Sequence, residues 1–213
     1  MSEALEPKKE YVTISQAVVI IAVIIASLSG IGYIVGKKFF WNQYDTTPLH
    51  ERQIAELEKY SEENPKSRNA KVLLFDRYFG SGELTKARII LNDLKKEIGD
   101  NPDIIYRDAL MLQSEGKKDK ALAEIQKVVE MKPLFPYARV IYSQLLTEDK
   151  QYDKAIKEME MALKIMPVAA DLRLELAKIY LAKGDKQKAL EEVDRALKMV
   201  PDYQEALDFK KQI

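Results

Sequence analysis

One pattern occurs twice in succession between residues 136 and 203. The first copy reads PYARVIYSQLLTEDKQYDKAIKEMEMALKIMPVA and the second reads ADLRLELAKIYLAKGDKQKALEEVDRALKMVPDY, so each residue follows its counterpart by 34 positions. Pro167 and Pro201 close the two copies, and Pro65 and Pro133 fall on the same grid. A period between about 20 and 50 residues is typical of solenoids, whose units bury their apolar faces against one another. The repeat therefore predicts stacked units rather than one globular core.

The same grid covers four units, at residues 68–101, 102–135, 136–169 and 170–203. Each unit has two stretches with apolar residues at helical spacing, separated by a short break. The breaks are Gly80-Ser81-Gly82, Gly116-Lys117, Glu148-Asp149-Lys150 and Gly184-Asp185. Residues 49–65 predict a capping helix before the array, and residues 204–213 predict a closing helix after it. The expected fold is an all-α solenoid.

Small, large and proline residues recur at fixed places in the units. In the last unit they are Leu176, Ala177, Tyr180, Ala189, Val193, Ala196 and Pro201. This spacing resembles the tetratricopeptide repeat, which implies a protein-binding module of helix pairs. The first unit departs from the pattern, because Phe75 stands where a small residue is expected and Gly99 where proline is expected. We expect adjusted helix packing in that unit.

An apolar segment precedes the array. Residues 12–35 carry no charge, and at about 1.5 Å per residue their apolar part approaches the thickness of a bilayer core. Tyr11 stands at one end and Lys37, Lys38 and Trp41 at the other, as is typical of a lipid–water boundary. We predict a transmembrane helix at residues 11–38, after a polar tail at 1–10 and before a linker at 39–48. A cleaved signal peptide is the alternative, but the apolar run continues past its small residues at 27–29.

Small residues form a stripe within this segment, which predicts close packing against another helix in the membrane, of a partner or of a second copy. The stripe consists of Ala22, Ala26 and Gly30, followed by Gly32 and Gly36. Lysines flank both ends of the segment, so charge does not decide its orientation. Single-span bacterial tetratricopeptide proteins more often project their repeats outside the cytoplasm. The resemblance therefore implies a single-pass protein of the inner membrane with extracytoplasmic repeats.

The composition excludes several function classes. The chain has 34 basic and 34 acidic residues, which leaves no basic surplus for nucleic acid binding. It has no cysteine and one histidine, His50, so metal centres and His- or Cys-based catalysis lack their usual residues. Its carboxylates alternate with lysines, as on solvated helix faces. We predict a protein that is not an enzyme and has no cofactor or metal.

The resemblance implies that four residues of each first helix line a concave groove for a partner. They include Val72, Asp76 and Phe79 in the first unit; Tyr106, Leu110 and Gln113 in the second; Tyr137, Val140 and Gln144 in the third; and Leu174, Lys178 and Leu181 in the fourth. Their apolar members predict binding of an extended peptide or an amphipathic helix. The alternative is that these side chains pack against adjacent units. Only Arg107 adds a positive charge at the places where related proteins clamp a terminal carboxylate, so such a clamp is not expected.

The leading hypothesis is a membrane-anchored scaffold that binds partner proteins in the groove, for assembly or tethering of a membrane complex. The alternatives are an accessory structural subunit of a membrane enzyme complex and a self-associating structural protein.

Overall fold

The computed structural model describes residues 13–15, 18–19, 21–23, 25, 27, 29, 33 and 48–213. These residues form helices, turns and loops, and none of them lies in a strand. The chain divides into two compact units, Met1–Gln53 and Ile54–Ile213. Ten helices occupy residues 48–213: α1 (Leu49–Glu63), α2 (Arg68–Gly80), α3 (Leu84–Ile98), α4 (Pro102–Ser114), α5 (Lys118–Met131), α6 (Pro136–Glu148), α7 (Tyr152–Ile165), α8 (Ala170–Lys183), α9 (Lys186–Met199) and α10 (Gln204–Gln212).

The predicted transmembrane helix lies mostly outside the described residues. Its described residues from 14 to 33 are helical, and their side chains are exposed. The hydroxyl of Ser27 donates to the carbonyl of Val23 at 2.7 Å, a bond that forms within a helical turn. Within the described part of the chain, no helix is both long enough and apolar enough to cross a membrane. The predicted tail at 1–10 and nearly all of the linker at 39–48 also lie outside it.

The array consists of four helix pairs that share one register. Their first helices begin at Arg68, Pro102, Pro136 and Ala170, in steps of 34 residues. Proline suits the first helical position, since the N–H that it lacks has no partner there in any case. The second helix of each pair packs against the first helix of the following pair. The apolar faces of neighbouring pairs thereby form a continuous core.

Each pair turns through the same backbone geometry. The fifteenth residue of every unit has a positive φ: 81° at Gly82, 73° at Gly116, 58° at Lys150 and 93° at Gly184. The next residue donates its N–H to the carbonyl five places earlier, as in Glu83 to Tyr78 at 2.8 Å, and this bond is the signature of a Schellman helix end. Three units supply glycine, which reaches this conformation without a steric penalty. The third unit places a lysine there.

Alanine occupies the tightest helix crossing in every pair. The four equivalent alanines of the second helices are completely buried: Ala87, Ala121, Ala155 and Ala189. The larger residues one turn later are also completely buried: Leu91, Ile125, Met159 and Val193. In the first unit the bulky Phe75 is accommodated in the core, where its ring stacks on Phe79 at a centroid distance of 5.7 Å.

We expect Lys150→Gly to stabilise the protein. A side chain in the left-handed region costs about 1–2 kcal/mol, and the substitution to glycine removes this cost. Glycine also has a higher backbone entropy in the unfolded chain, which offsets part of the stabilisation. We therefore expect an increase of about 0.5–1 kcal/mol in the free energy of unfolding. For a chain of this size this corresponds to a rise of roughly 1–4 °C in melting temperature, measured by circular dichroism.

Gly184→Ala is the matched control, since it places a side chain into the same conformation in the fourth unit. We expect it to lower the melting temperature. A Lys150→Gly variant that melts at or below the temperature of the unchanged protein would contradict the argument from turn geometry.

Candidate partner-binding groove

The residues predicted to line a groove occupy four places on each first helix. We call this set of places the groove surface; it comprises the second, fifth, ninth and twelfth residues of α2, α4, α6 and α8. These places lie on one helical face, away from the residues that fill each pair. Contacts between neighbouring pairs run along it. Asp76 accepts two bonds from Arg107 at 3.0 and 2.8 Å, and Lys178 pairs with Glu205 of α10 at 2.7 Å.

Three aromatic rings meet where the second and third units join. The ring centroid of Phe135 lies 5.0 Å from that of Tyr106 and 6.4 Å from that of Tyr137. Burial raises the pKa of the Tyr106 phenol, whereas 57% of Tyr137 is exposed. The aromatic cluster of these three residues therefore offers partly covered apolar area with hydroxyls at its edge, a composition that favours binding to other proteins.

A shallow pocket adjoins the aromatic cluster. It has a volume of about 400 Å³ and is lined by Asp103 and the loop from Lys132 to Phe135. Lys132 pairs with both oxygens of Asp103 at 2.8 and 2.9 Å, so the charges on this wall neutralise each other. Leu134 is 80% exposed beside them. The wall is consequently apolar in character, with little net charge.

Polar groove residues converge on a second pocket further along the array. This pocket, of about 250 Å³, brings Gln113 and Gln144 together with Thr147 and Lys178. Partial burial lowers the pKa of Lys178, but its bonds to Glu175 and Glu205 outweigh that effect and raise the pKa. The hydrogen bond that Lys178 donates to Glu205 in turn lowers the pKa of the Glu205 carboxyl. The groove surface thus changes from aromatic to polar along its length.

Leu174 is not accessible on the groove surface, contrary to the sequence prediction. It is completely buried in a cluster with Ala177, Val193 and Ala206. Ala206 belongs to α10, and Phe209 of the same helix also packs there. Because α10 covers this part of the last pair, the side chain at the fifth place of α8 belongs to the core.

The remaining apolar groove residues are half-buried. Val72 and Phe79 pack against the core of the first unit, and Val140 and Leu181 pack against the core of the third and fourth units. Leu110 is half-buried at the ninth place of α4. Each of these residues therefore contributes to packing and keeps part of its surface exposed, and partner binding at these positions stays a prediction.

The predicted stripe in the N-terminal segment is described at one residue only. Ala22 is helical and exposed. Ala26, Gly30, Gly32 and Gly36 lie outside the described residues. His50 is exposed, and its imidazole lies 3.9 Å from the carboxylate of Glu51. The described residues contain no group of three or more His, Cys, Asp or Glu side chains arranged to hold a metal ion.

These features define an α-solenoid of helix pairs. Two family models match the chain, and each represents the tetratricopeptide repeat, one over residues 107–170 and one over residues 146–213. No curated protein matches the sequence. The protein thus carries tetratricopeptide repeats, and its array is a solenoid of that type.

Solved structures of tetratricopeptide proteins share the fold. YrrB, described as a TPR protein with an unusual peptide-binding site, is 24% identical with a TM-score of 0.60, over 76% of this chain and 84% of its own. TTC0263, a TPR protein of Thermus thermophilus, is 17% identical with a TM-score of 0.65, and the match covers 76% of this chain and 89% of that one. The Cut9–Hcn1 hetero-tetramer of APC/C is 16% identical with a TM-score of 0.69, and the match covers 76% of this chain and 32% of that one. Identities this low establish a common fold alone.

Core and groove residues should respond differently to truncation. Leu174→Ala removes a completely buried side chain, so we expect it to lower the free energy of unfolding by about 2–4 kcal/mol. Tyr137→Ala removes a side chain that is mostly exposed, and we expect a loss below about 1 kcal/mol. Urea unfolding of the full chain in detergent, followed by circular dichroism, measures both. Equal losses in the two variants would contradict the assignment of Leu174 to the core.

Proposed function

We propose that this protein is a non-enzymatic scaffold that binds a segment of a partner protein on its groove surface. The observation that carries the proposal is the aromatic cluster, where Tyr137 keeps more than half of its surface exposed next to Tyr106 and Phe135. Exposed aromatic residues on a rigid surface are typical anchors for a partner, because they provide a large contact area at a low entropic cost.

The composition of the groove surface indicates what the partner segment presents. Apolar side chains of the partner fit the aromatic cluster, and hydrogen-bonding groups fit the pocket of Gln113, Gln144 and Lys178. An extended peptide or an amphipathic helix provides both along one line. YrrB, which shares the fold, is described as having a peptide-binding site. That description supports peptide binding as the mode proposed here.

We further propose that residues 11–38 anchor the protein in a membrane, with the repeats on the extracytoplasmic side. The uncharged run at residues 12–35 and its aromatic and lysine flank support the anchor. So do the exposed apolar side chains of its described helical residues, among them Val19, Ile21 and Ile25, each more than half exposed. The bound partner would then be held next to the bilayer, which suits assembly or tethering of a membrane complex.

Site-specific photocrosslinking tests the groove. With p-benzoylphenylalanine at position 137 of the full chain in cells, we expect one dominant crosslinked protein. Its purified form should bind the unchanged protein and lose at least about tenfold in affinity to Tyr137→Ala, since truncation of an aromatic anchor costs more than 1 kcal/mol. The matched control places the photoreactive residue at Lys157, an exposed position on a second helix.

Equal crosslinking from positions 137 and 157, or unchanged affinity of Tyr137→Ala, would contradict groove binding. The stoichiometry of the recovered complex separates the leading function from its alternative. A fixed ratio to a catalytic chain indicates an accessory subunit, whereas an assembly factor is recovered in substoichiometric amounts.

Alkaline extraction of membranes tests the anchor. We expect the full chain to stay with the membrane pellet, and a variant carrying both Ile21→Lys and Ile25→Lys to be released, because charges at the middle of a span oppose insertion. Thr85→Lys, at an exposed place on α3, is the control for a lysine added outside the segment and should remain in the pellet. Release of the unchanged protein would remove the anchor from the proposal.

A further inference from the structure

Charge is scarce where the groove surface crosses the second and third units. Its places on α4 and α6, which we call the central groove places, number eight, and seven of them hold uncharged side chains. The exception is Asp103, whose two carboxylate oxygens accept from Nζ of Lys132 at 2.8 and 2.9 Å. The central groove places therefore present no unpaired charge to a partner.

The charged residues on either side of these places are held in ion pairs as well. In the first unit Asp76 accepts two bonds from Arg107, whose side chain is 14% exposed. In the fourth unit Nζ of Lys178 lies 2.7 Å from Glu175 and 2.7 Å from Glu205. A charged side chain of a partner would either break one of these pairs or lose hydration without gaining a counter-ion, and both are unfavourable. The ion pairs thus select against charge in a bound segment.

Two glutamine side chains at central groove places have no hydrogen bond within the described part of the chain. They are Gln113 of α4 and Gln144 of α6, both half-buried, and they line the same pocket of about 250 Å³. Each amide carries an acceptor oxygen and an NH2 group with two donor hydrogens. Donors and acceptors from two different helices therefore line one pocket without a partner of their own.

An extended peptide matches these two amides better than a helix does. In a helix the backbone N–H and C=O groups bond to one another, whereas those of an extended chain are free to bond to side-chain amides. Recognition through the backbone leaves the side chains of the peptide unspecified there, so charge is the property that limits them. Two helices of about 10 Å diameter are spanned by roughly six residues of extended chain, at about 3.3 Å each.

We propose that the central groove places bind an extended, uncharged stretch of about six residues in the partner, which Gln113 and Gln144 hold through its backbone. The aromatic cluster holds one apolar side chain of the same stretch. This inference rests on the proposed binding of a partner segment and specifies the chemistry of that segment. The uncharged stretch ends where it reaches Asp171, at the second place of α8, which is exposed and pairs with no cation among the described residues.

Selection from a library of random peptides on phage tests this specificity. The full chain in detergent is the target, and peptides that also bind Tyr137→Ala are removed. We expect the recovered peptides to contain a run of about six residues without Asp, Glu, Lys or Arg more often than the unselected library does. Recovered peptides enriched in charged residues would overturn the inference but leave the proposed function in place. Recovery of no peptide that depends on Tyr137 would contradict the proposed function itself, and the inference with it.

The tightest-binding recovered peptide serves as the probe for charge. Its affinity for the full chain, measured by fluorescence anisotropy, should change less than about twofold between roughly 0.05 and 0.5 M salt, because no ion pair with the peptide is present to be screened. Replacing a central residue of the peptide by Lys or by Glu should weaken binding at least about tenfold, since neither charge gains a counter-ion. A gain in affinity from either charge, or a loss of affinity at high salt, would overturn the inference.

Methionine at both glutamines tests recognition of the backbone. The double variant Gln113→Met, Gln144→Met keeps the length of both side chains and removes their hydrogen-bonding groups, so we expect about tenfold weaker binding of the same peptide. Its circular dichroism spectrum should stay unchanged, since these amides bond to no group in the described part of the chain. Gln126→Met, at an exposed place on α5, is the matched control and should bind as the unchanged protein does. Binding that needs Tyr137 and is equally strong in the double variant would overturn the inference while leaving groove binding intact.

Discussion

The structure depends on burial of one apolar helix face per unit against the next unit. A single pair of short helices cannot exclude water from its core, because helices of 13–15 residues gain most of their stability from packing. The completely buried alanines at each crossing let the two helices of a pair approach closely. Their larger neighbours then fill the space between pairs. Every other feature of the array is attached to this repeated contact.

The ends of the array decide which surface remains accessible. At the far end α10 lies over the last pair and buries Leu174 together with Val193. Each inner pair has a following pair in this position, and α10 plays that role at the end of the chain. The ion pair between Lys178 of α8 and Glu205 of α10 is half-exposed and contributes little. Most of the attachment of α10 therefore comes from the packing of Ala206 and Phe209. On α8 the groove surface is thus closed at Leu174 but stays partly exposed at Lys178 and Leu181.

Much of the fold could be predicted because its determinants are local and periodic. Three of the four turn positions follow from glycine at a fixed place, and the crossings follow from alanine at another. The site was less predictable. Phe135 lies in the loop before α6, outside the helical spacing that identified Tyr106 and Tyr137, although it joins them in the structure. The burial of Leu174 depends on how α10 packs, which no spacing within the fourth unit reveals.

Electrostatic links between units vary more than the apolar core does. The third and fourth units attach to the preceding unit through Arg139 and Arg173, whereas the second attaches through Asp108, which is held by Arg88 and Lys95. Both solutions neutralise buried charge with several hydrogen bonds, which low dielectric surroundings require. Since the core already specifies the stacking, these polar positions are free to differ.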